Sequence, residues 1–362
     1  MKKLSFLNVP AIGAALTGLI LVMTPTGPSH AQNAVPPIGL NVASIEKVAG
    51  GFMFVEGPVW HHQTPAPGAL AAASGPTSFF GDFLLFSDIP ANIIYKWTES
   101  RGIEVFRTNT SAANGNTLDL NNRLITCEGF PNRRVVRMNL DGTLTTLASR
   151  YLGRKLNAPN DVVVKSDGTI YFTDPPYSTP TENLELNFFG VWKLDLAHGT
   201  LVPIITNLVR PNGIALGPGE KKLYVNDSCR PGEANPAGAE CVASGSQGVI
   251  RVWDVLPDGS VANGRVFARL LDPTAADGVP DGMKVDIRGN VYSTGPGGVW
   301  VLDPNGTLLG RIRLPETAAN VGWGPANWPF LLAGSRDFQT LYVTASTGLY
   351  RVRLKIPGCG RC

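Results

Sequence analysis

Histidine is scarce in this 362-residue chain: of its four, His30 lies near the N-terminus, and His61, His62 and His198 are the rest. Imidazole chemistry therefore has few candidates, and no serine sits in a nucleophile-elbow motif for acyl transfer. No P-loop, dinucleotide fingerprint or EF-hand loop occurs, which removes those nucleotide- and calcium-binding classes. No stretch carries a 3.6-residue amphipathic period, so a helical architecture is excluded. A basic stripe interleaved with aromatics is also missing, and nucleic acid is not an expected partner. Beyond the first 31 residues no run is apolar enough to span a bilayer.

Those first residues form a leader. Lys2 and Lys3 precede an apolar run from about Leu4 to Met23, and Ser29-His30-Ala31 is a small-residue cleavage site before Gln32. The run is long enough for an uncleaved anchor, but Pro10, Gly13, Gly18 and the cleavage-like tripeptide favour a signal peptide over residues 1–31. The expected location is periplasmic or secreted, with residues 32–362 as one domain and no stable membrane span. The formal charge of +3 includes both leader lysines, so the remainder is close to neutral. Five cysteines in an exported chain invite disulfides. Cys229 and Cys241 bracket a polar loop and are expected to pair, while Cys127, in the apolar run LITC, reads as a buried thiol. Cys359 and Cys362 could close a small ring. The oligomeric state is not legible.

What the chain has in abundance is short β-rich runs, among them FLLFSD, RLITCE, DVVVKS, TIYFTD, KLYVND and TLYVTA. Turn dipeptides such as Asp141-Gly142, Asp167-Gly168, Asp258-Gly259 and Asn305-Gly306 lie between them. Six times an acid or amide opens such a run: Glu56, Asn114, Asn160, Asn212, Asp281 and Asn320. The intervals are uneven, which suits propeller blades with variable loops better than a solenoid. The expected fold is all-β, a six-bladed β-propeller, with Ile45 to Phe54 supplying an outer strand that closes the ring against the C-terminal strands. Insertions at 61–80, at 177–187 and between Cys229 and Cys241 would rim the channel or decorate the surface. His61-His62 is expected as an exposed pair in the first of these loops.

A propeller aims its innermost strands at one channel, so the six polar side chains should converge there as a ring of oxygens. Oxygen donors without His or Cys point to a hard divalent cation: Ca2+ first, then Mg2+ or Mn2+, with Zn2+ tolerated by carboxylates. The competing reading is that Asn and Asp at strand starts merely cap turns. Their recurrence at one point of the repeat argues for a site.

The ordered phrases EGPVW, FLLFSDIPANIIYKW, RLITCEGFPNRRVVR, LNAPNDVVVKSDGTIYFTDPPY, RPNGIALGPGEKKLYVNDS and PDGMKVDIRGNVYSTGPGGVWVLDPNG resemble the gluconolactonase/regucalcin family. The resemblance runs from about residue 45 to 355. It implies a six-bladed propeller with a divalent metal, usually calcium, held by Glu56, Asn212 and Asp281, with Asn160 near the metal or the substrate. It makes Asp281 the candidate general base and a lactone or related ester the small-molecule substrate, with Asn114 and Tyr177 as further substrate contacts. Two positions depart from the family pattern. Ala158 stands where animal members carry Arg, and Gly129 follows Cys127-Glu128 where many bacterial members carry His. Sugar-lactone hydrolysis is the default expectation. Another ester, an aromatic lactone or a phosphotriester on the same metal site, and a non-catalytic ligand-binding propeller, are the alternatives.

Overall fold

The structure is a computed structural model that describes residues 45–61, 82–241, 248–272, 278–325 and 338–360. Residues 1–31, expected as a signal peptide, and His62 therefore lie outside the described residues. Six four-stranded antiparallel sheets follow one another as propeller blades. The first five begin on the inner strands Val55–His61, Ala113–Leu118, Val162–Val164, Pro211–Leu216 and Met283–Val285. The sixth combines Ala318–Gly324, Thr340–Ala345 and Gly348–Arg353 with the N-terminal strand Ile45–Gly50, which pairs Ile45 with Val352 and Gly50 with Gly348. Closure by the N-terminal strand is as expected, and it leaves no interior edge between first and last blades.

Strand alternation explains the core. Successive side chains of a strand point to opposite faces, and each blade is covered on both. Leu84 and Phe86 pack with Tyr342 and Leu349 of the sixth blade. Their strand neighbours Phe83 and Leu85 pack with Ala113 and Leu124 of the second. In the third blade Phe172 and Trp192 face Ile125 and Val135, whereas Tyr171 and Val191 face Ile214 and Val225. The central strands consequently read as continuous apolar runs, FLLF and IYF, because both faces are buried. Hairpin turns use an Asp carboxylate to accept an N–H two residues on, as Asp141 does from Thr143, Asp167 from Thr169 and Asp258 from Ser260.

Smaller expectations divide. Cys229 and Cys241 are joined as a disulfide, and Cys127 is a buried free thiol. His61 is not an exposed loop residue. It ends the first inner strand and stacks on Phe83 at 4.6 Å between ring centroids, because the strand runs one residue further than its apolar pattern.

One carboxylate reinforces ring closure. Glu316 accepts from Lys47 Nζ at 2.7 Å and from the Thr347 N–H at 2.8 Å, and it also meets the Tyr350 hydroxyl. Desolvation pushes its pKa up, but these donors outweigh it and hold it at about 2. A depressed carboxylate stabilises the fold fully above its ordinary value and loses that contribution as pH falls through the folded one. Glu316→Gln should therefore cost about 1 kcal/mol at pH 7, solvent screening included. It should also flatten the loss of stability between pH 5 and 2, as urea unfolding at several pH values would read.

Candidate active site

Four of the six ring residues are followed by glycine, and the structure shows why. A side chain on Gly213 would place Cβ 2.0 Å from the Asp281 carbonyl oxygen, and one on Gly282 would place it 2.0 Å from the Asn320 amide. At three junctions one inner strand meets the next by backbone. The N–H of Gly115 donates to the Asn160 carbonyl at 2.7 Å, that of Gly213 to the Asp281 carbonyl at 2.9 Å, and that of Gly282 to the Ala319 carbonyl at 2.7 Å. Polar side chains on second strands bond the same backbone. Ser87 Oγ donates to the Asn114 carbonyl at 2.8 Å, Thr173 Oγ1 to that of Asn212 at 2.7 Å, and Asn226 Nδ2 to that of Asp281 at 2.6 Å. With the backbone held from behind, the ring side chains are free to face the channel.

Glu56 is buried, and its Oε2 accepts from the Gly57 N–H and from Asn320 Nδ2, both at 2.9 Å. No Lys or Arg among the described residues pairs with it. Desolvation, then the charge of Asp161, raises its pKa against those two hydrogen bonds. Asp281, partly exposed to the channel, is raised by desolvation and by the charges of Glu56 and Asp161, opposed by a hydrogen bond from Asn212 and the charge of Arg230. Asn160 is buried, and its side-chain amide makes no hydrogen bond among the described residues. Asn114 Oδ1 is buried with no hydrogen-bond partner among the described residues. Tyr177 stands at the rim, 45% exposed, with its hydroxyl end against Ser228 and Asn212, where desolvation and the Asp281 charge raise its pKa. Glu56, Asn114, Asn160, Asn212, Asp281 and Tyr177 thus gather at one end of the channel. Further along the inner strands, a separate cavity of about 360 Å³ is lined by Trp60, Val163, Leu216, Lys284 and Trp323, and none of the ring acids lines it.

Two desolvated carboxylates, Glu56 buried and Asp281 partly exposed, have no ion-pair partner among the described residues and are costly to ionise, and the Asn114 amide oxygen of the same ring has no partner there either. That set suits a hard cation with oxygen ligands. Among the described residues no three His, Cys, Asp or Glu side chains converge in a metal-binding group, so a cation here would depend on the amides. Asn320 does not join them. Its Nδ2 serves Glu56 and its Oδ1 accepts the Val321 N–H, so it orients Glu56.

Asp161 went unread in the sequence. It occupies the position that glycine fills in four other blades, and its carboxylate accepts the N–H groups of Val162 and Ile214, tying the third blade to the fourth. The replacement of Asn-Gly by Asn160-Asp161 was the available signal. The departures at the rim also have causes. The Ala158 N–H is bonded by the buried Asp174 carboxylate of the DPPY turn at 2.8 Å. A side chain on Gly129 would collide with Ser178 Oγ, which accepts the Phe130 N–H at 3.2 Å and so draws the loop after Tyr177 over the second blade.

The family model for the SMP-30/gluconolactonase/LRE-like region matches residues 54–232 and 239–347. The chain is 31% identical to the gluconolactonase of Zymomonas mobilis over 337 residues, covering 87% of this chain and 82% of that one. It is 24% identical to the pentonolactonase of Haloferax volcanii, covering 81% of each. A solved gluconolactonase structure from Xanthomonas campestris superposes with a TM-score of 0.68 at 28% identity, over 92% of this chain and 99% of that one.

Two outcomes follow from the geometry. Gly213→Ala should destabilise the protein by about 1–3 kcal/mol, because backbone rather than a flexible side chain must move; thermal unfolding checks it. Glu56→Gln should raise the melting temperature of chelator-treated protein, since it removes a desolvated charge yet keeps an acceptor for Asn320. The same change should also remove any rise in melting temperature on adding calcium, which the unaltered chain should show if the ring holds that ion.

Proposed function

The chain belongs to the SMP-30/gluconolactonase/LRE-like family, and from that premise we propose that it is an exported, divalent-metal-dependent lactonase acting on sugar lactones. The observation that carries the reading is the pair of desolvated carboxylates, Glu56 and Asp281, at one channel; among the described residues neither forms an ion pair, and Lys284 and Arg230 act on them only through their charge. The names of the Zymomonas and Haloferax relatives support a lactone as substrate. The Cys229–Cys241 disulfide supports an oxidising destination, consistent with residues 1–31 as a signal peptide.

Glu56, Asn160, Asn212 and Asp281 would hold the cation, and the all-oxygen donor set favours calcium. When bound, such an ion polarises an ester carbonyl and acidifies water. Asp281 acts as general base, taking a proton from the attacking water while the Asn212 amide fixes the orientation of its carboxylate. Addition to the carbonyl carbon followed by cleavage of the ring C–O bond gives the open hydroxy acid, the ring oxygen taking up a proton as it leaves. Tyr177, whose hydroxyl holds its proton firmly, donates a hydrogen bond to substrate oxygen, and Asn114 Oδ1 accepts one from a sugar hydroxyl.

Hydrolysis of D-glucono-1,5-lactone, measured above its spontaneous opening, tests the proposal. Activity should require added divalent metal, vanish with chelator and return with calcium. Asp281→Asn should lower the catalysed rate by about 10²–10⁴-fold. Full activity in that variant would remove Asp281 as base, and activity unaffected by chelation would remove the metal.

A further inference from the structure

Two arginines, Arg210 and Arg230, stand at the rim above the ring, and the segment between Cys229 and Cys241 carries two acids, Glu233 and Glu240. Arg210, two residues before Asn212, lies with its guanidinium 5.4 Å from the Phe189 ring centroid and 6.0 Å from that of Tyr177. Its acidic neighbour, Glu233 Oε1, is 3.5 Å from Nε, and that buried Nε makes no hydrogen bond among the described residues. The other oxygen of Glu233 accepts the Arg230 backbone N–H at 2.7 Å. One carboxylate is thus shared between Arg210 and a backbone, and the Arg230 side chain is left over. It is exposed, and among the described residues no carboxylate lies within ion-pairing distance of it.

Two facts separate Arg230 from an ordinary solvated arginine. It follows Ser228 by two residues, and Ser228 Oγ bonds the Pro280 carbonyl next to Asp281, so the chain carries Arg230 out beside the channel mouth. Its backbone is also tied down on both sides. Ser228 Oγ donates to the Pro280 carbonyl, next to Asp281, and Cys229 and Cys241 form a buried disulfide packed on Val209. Asn235, within the bridged loop, donates to the Leu208 carbonyl at 3.2 Å. A cation whose backbone is anchored beside a site that would itself hold an ester group is placed to recognise a second group of the same molecule.

We propose that Arg230, with Arg210 behind it, binds a carboxylate of the substrate, so that the preferred lactone is one bearing a free acid group, such as the lactone of an aldaric or uronic acid. The inference deepens the lactonase reading and rests on it. A guanidinium matches a carboxylate with two parallel hydrogen bonds, whereas a neutral aldonolactone would leave Arg230 in water and gain nothing from it. Fixed positive charge at the mouth also draws an anion toward a channel whose own acids would repel it.

The test compares D-glucono-1,5-lactone with D-glucaro-1,4-lactone for the unaltered protein and Arg230→Gln. The variant should lose about tenfold in kcat/KM on the glucarolactone, chiefly through KM, and less than about twofold on the neutral lactone. The preference of the unaltered protein for the charged lactone should shrink as salt is raised. Equal effects on both lactones, or none, would overturn the proposal. A calorimetric titration of the open acids, glucarate against gluconate, reads recognition without turnover. Arg230→Gln should weaken glucarate binding selectively, and unchanged selectivity would overturn the proposal. If neither lactone turns over in the unaltered protein, the lactonase reading fails, and the titration still decides whether Arg230 recognises a carboxylate.

Discussion

The inner strands meet so closely at the channel that the residue after a ring side chain often has no room for Cβ. Gly213 and Gly282 face the backbone or amide of the next blade at distances no side chain tolerates, and their N–H groups bond across the same gap. This contact sets the pitch from blade to blade, and the apolar clusters between blades fill in behind it. It also determines where the chemistry sits. Backbone carbonyls of Asn114, Asn212 and Asp281 are consumed by the preceding blade, and their side chains are left facing the channel. Fold and site are therefore one construction, and a change that loosens the ring should be felt as both instability and loss of function.

Much of this was legible in the sequence because the physics is local. Alternation within short strands, Asp-Gly turns and an acid or amide at each inner-strand start required nothing beyond a few residues of context. Closure by Ile45–Gly50 was legible because the segment precedes the first blade with nothing else to pair with. What escaped depends on contacts between distant residues. Asn320 carries the same local signature as Asn160 yet spends its amide on Glu56 across the ring's junction. Asp161 replaces a glycine because its carboxylate caps N–H groups of two blades, one of them 53 residues away. Gly129 departs from the family pattern because Ser178, from another loop, occupies the space beside it.

The site is a contrast of charge between two layers. Below, Glu56, Asp161 and Asp281 place negative charge where solvent is scarce, a situation that a bound cation relieves. Above, Arg210 lies half-buried against Tyr177 and Phe189, and Arg230, on the disulfide-pinned segment, places positive charge in solvent. The lower layer belongs to the repeat itself. The upper layer is built from insertions, which can vary without disturbing the glycine contacts, and there one lactonase can differ from another in the substrate it accepts.

The central claim is that the ring holds a hard cation through carboxylates that desolvation keeps reluctant to ionise. Calorimetric titration of calcium into chelator-stripped protein, in buffers of different ionisation enthalpy near neutral pH, addresses it directly. The account predicts one ion per chain and release of protons on binding, because the ligands must ionise to coordinate. Saturable binding without proton release, or no binding at all, would contradict it.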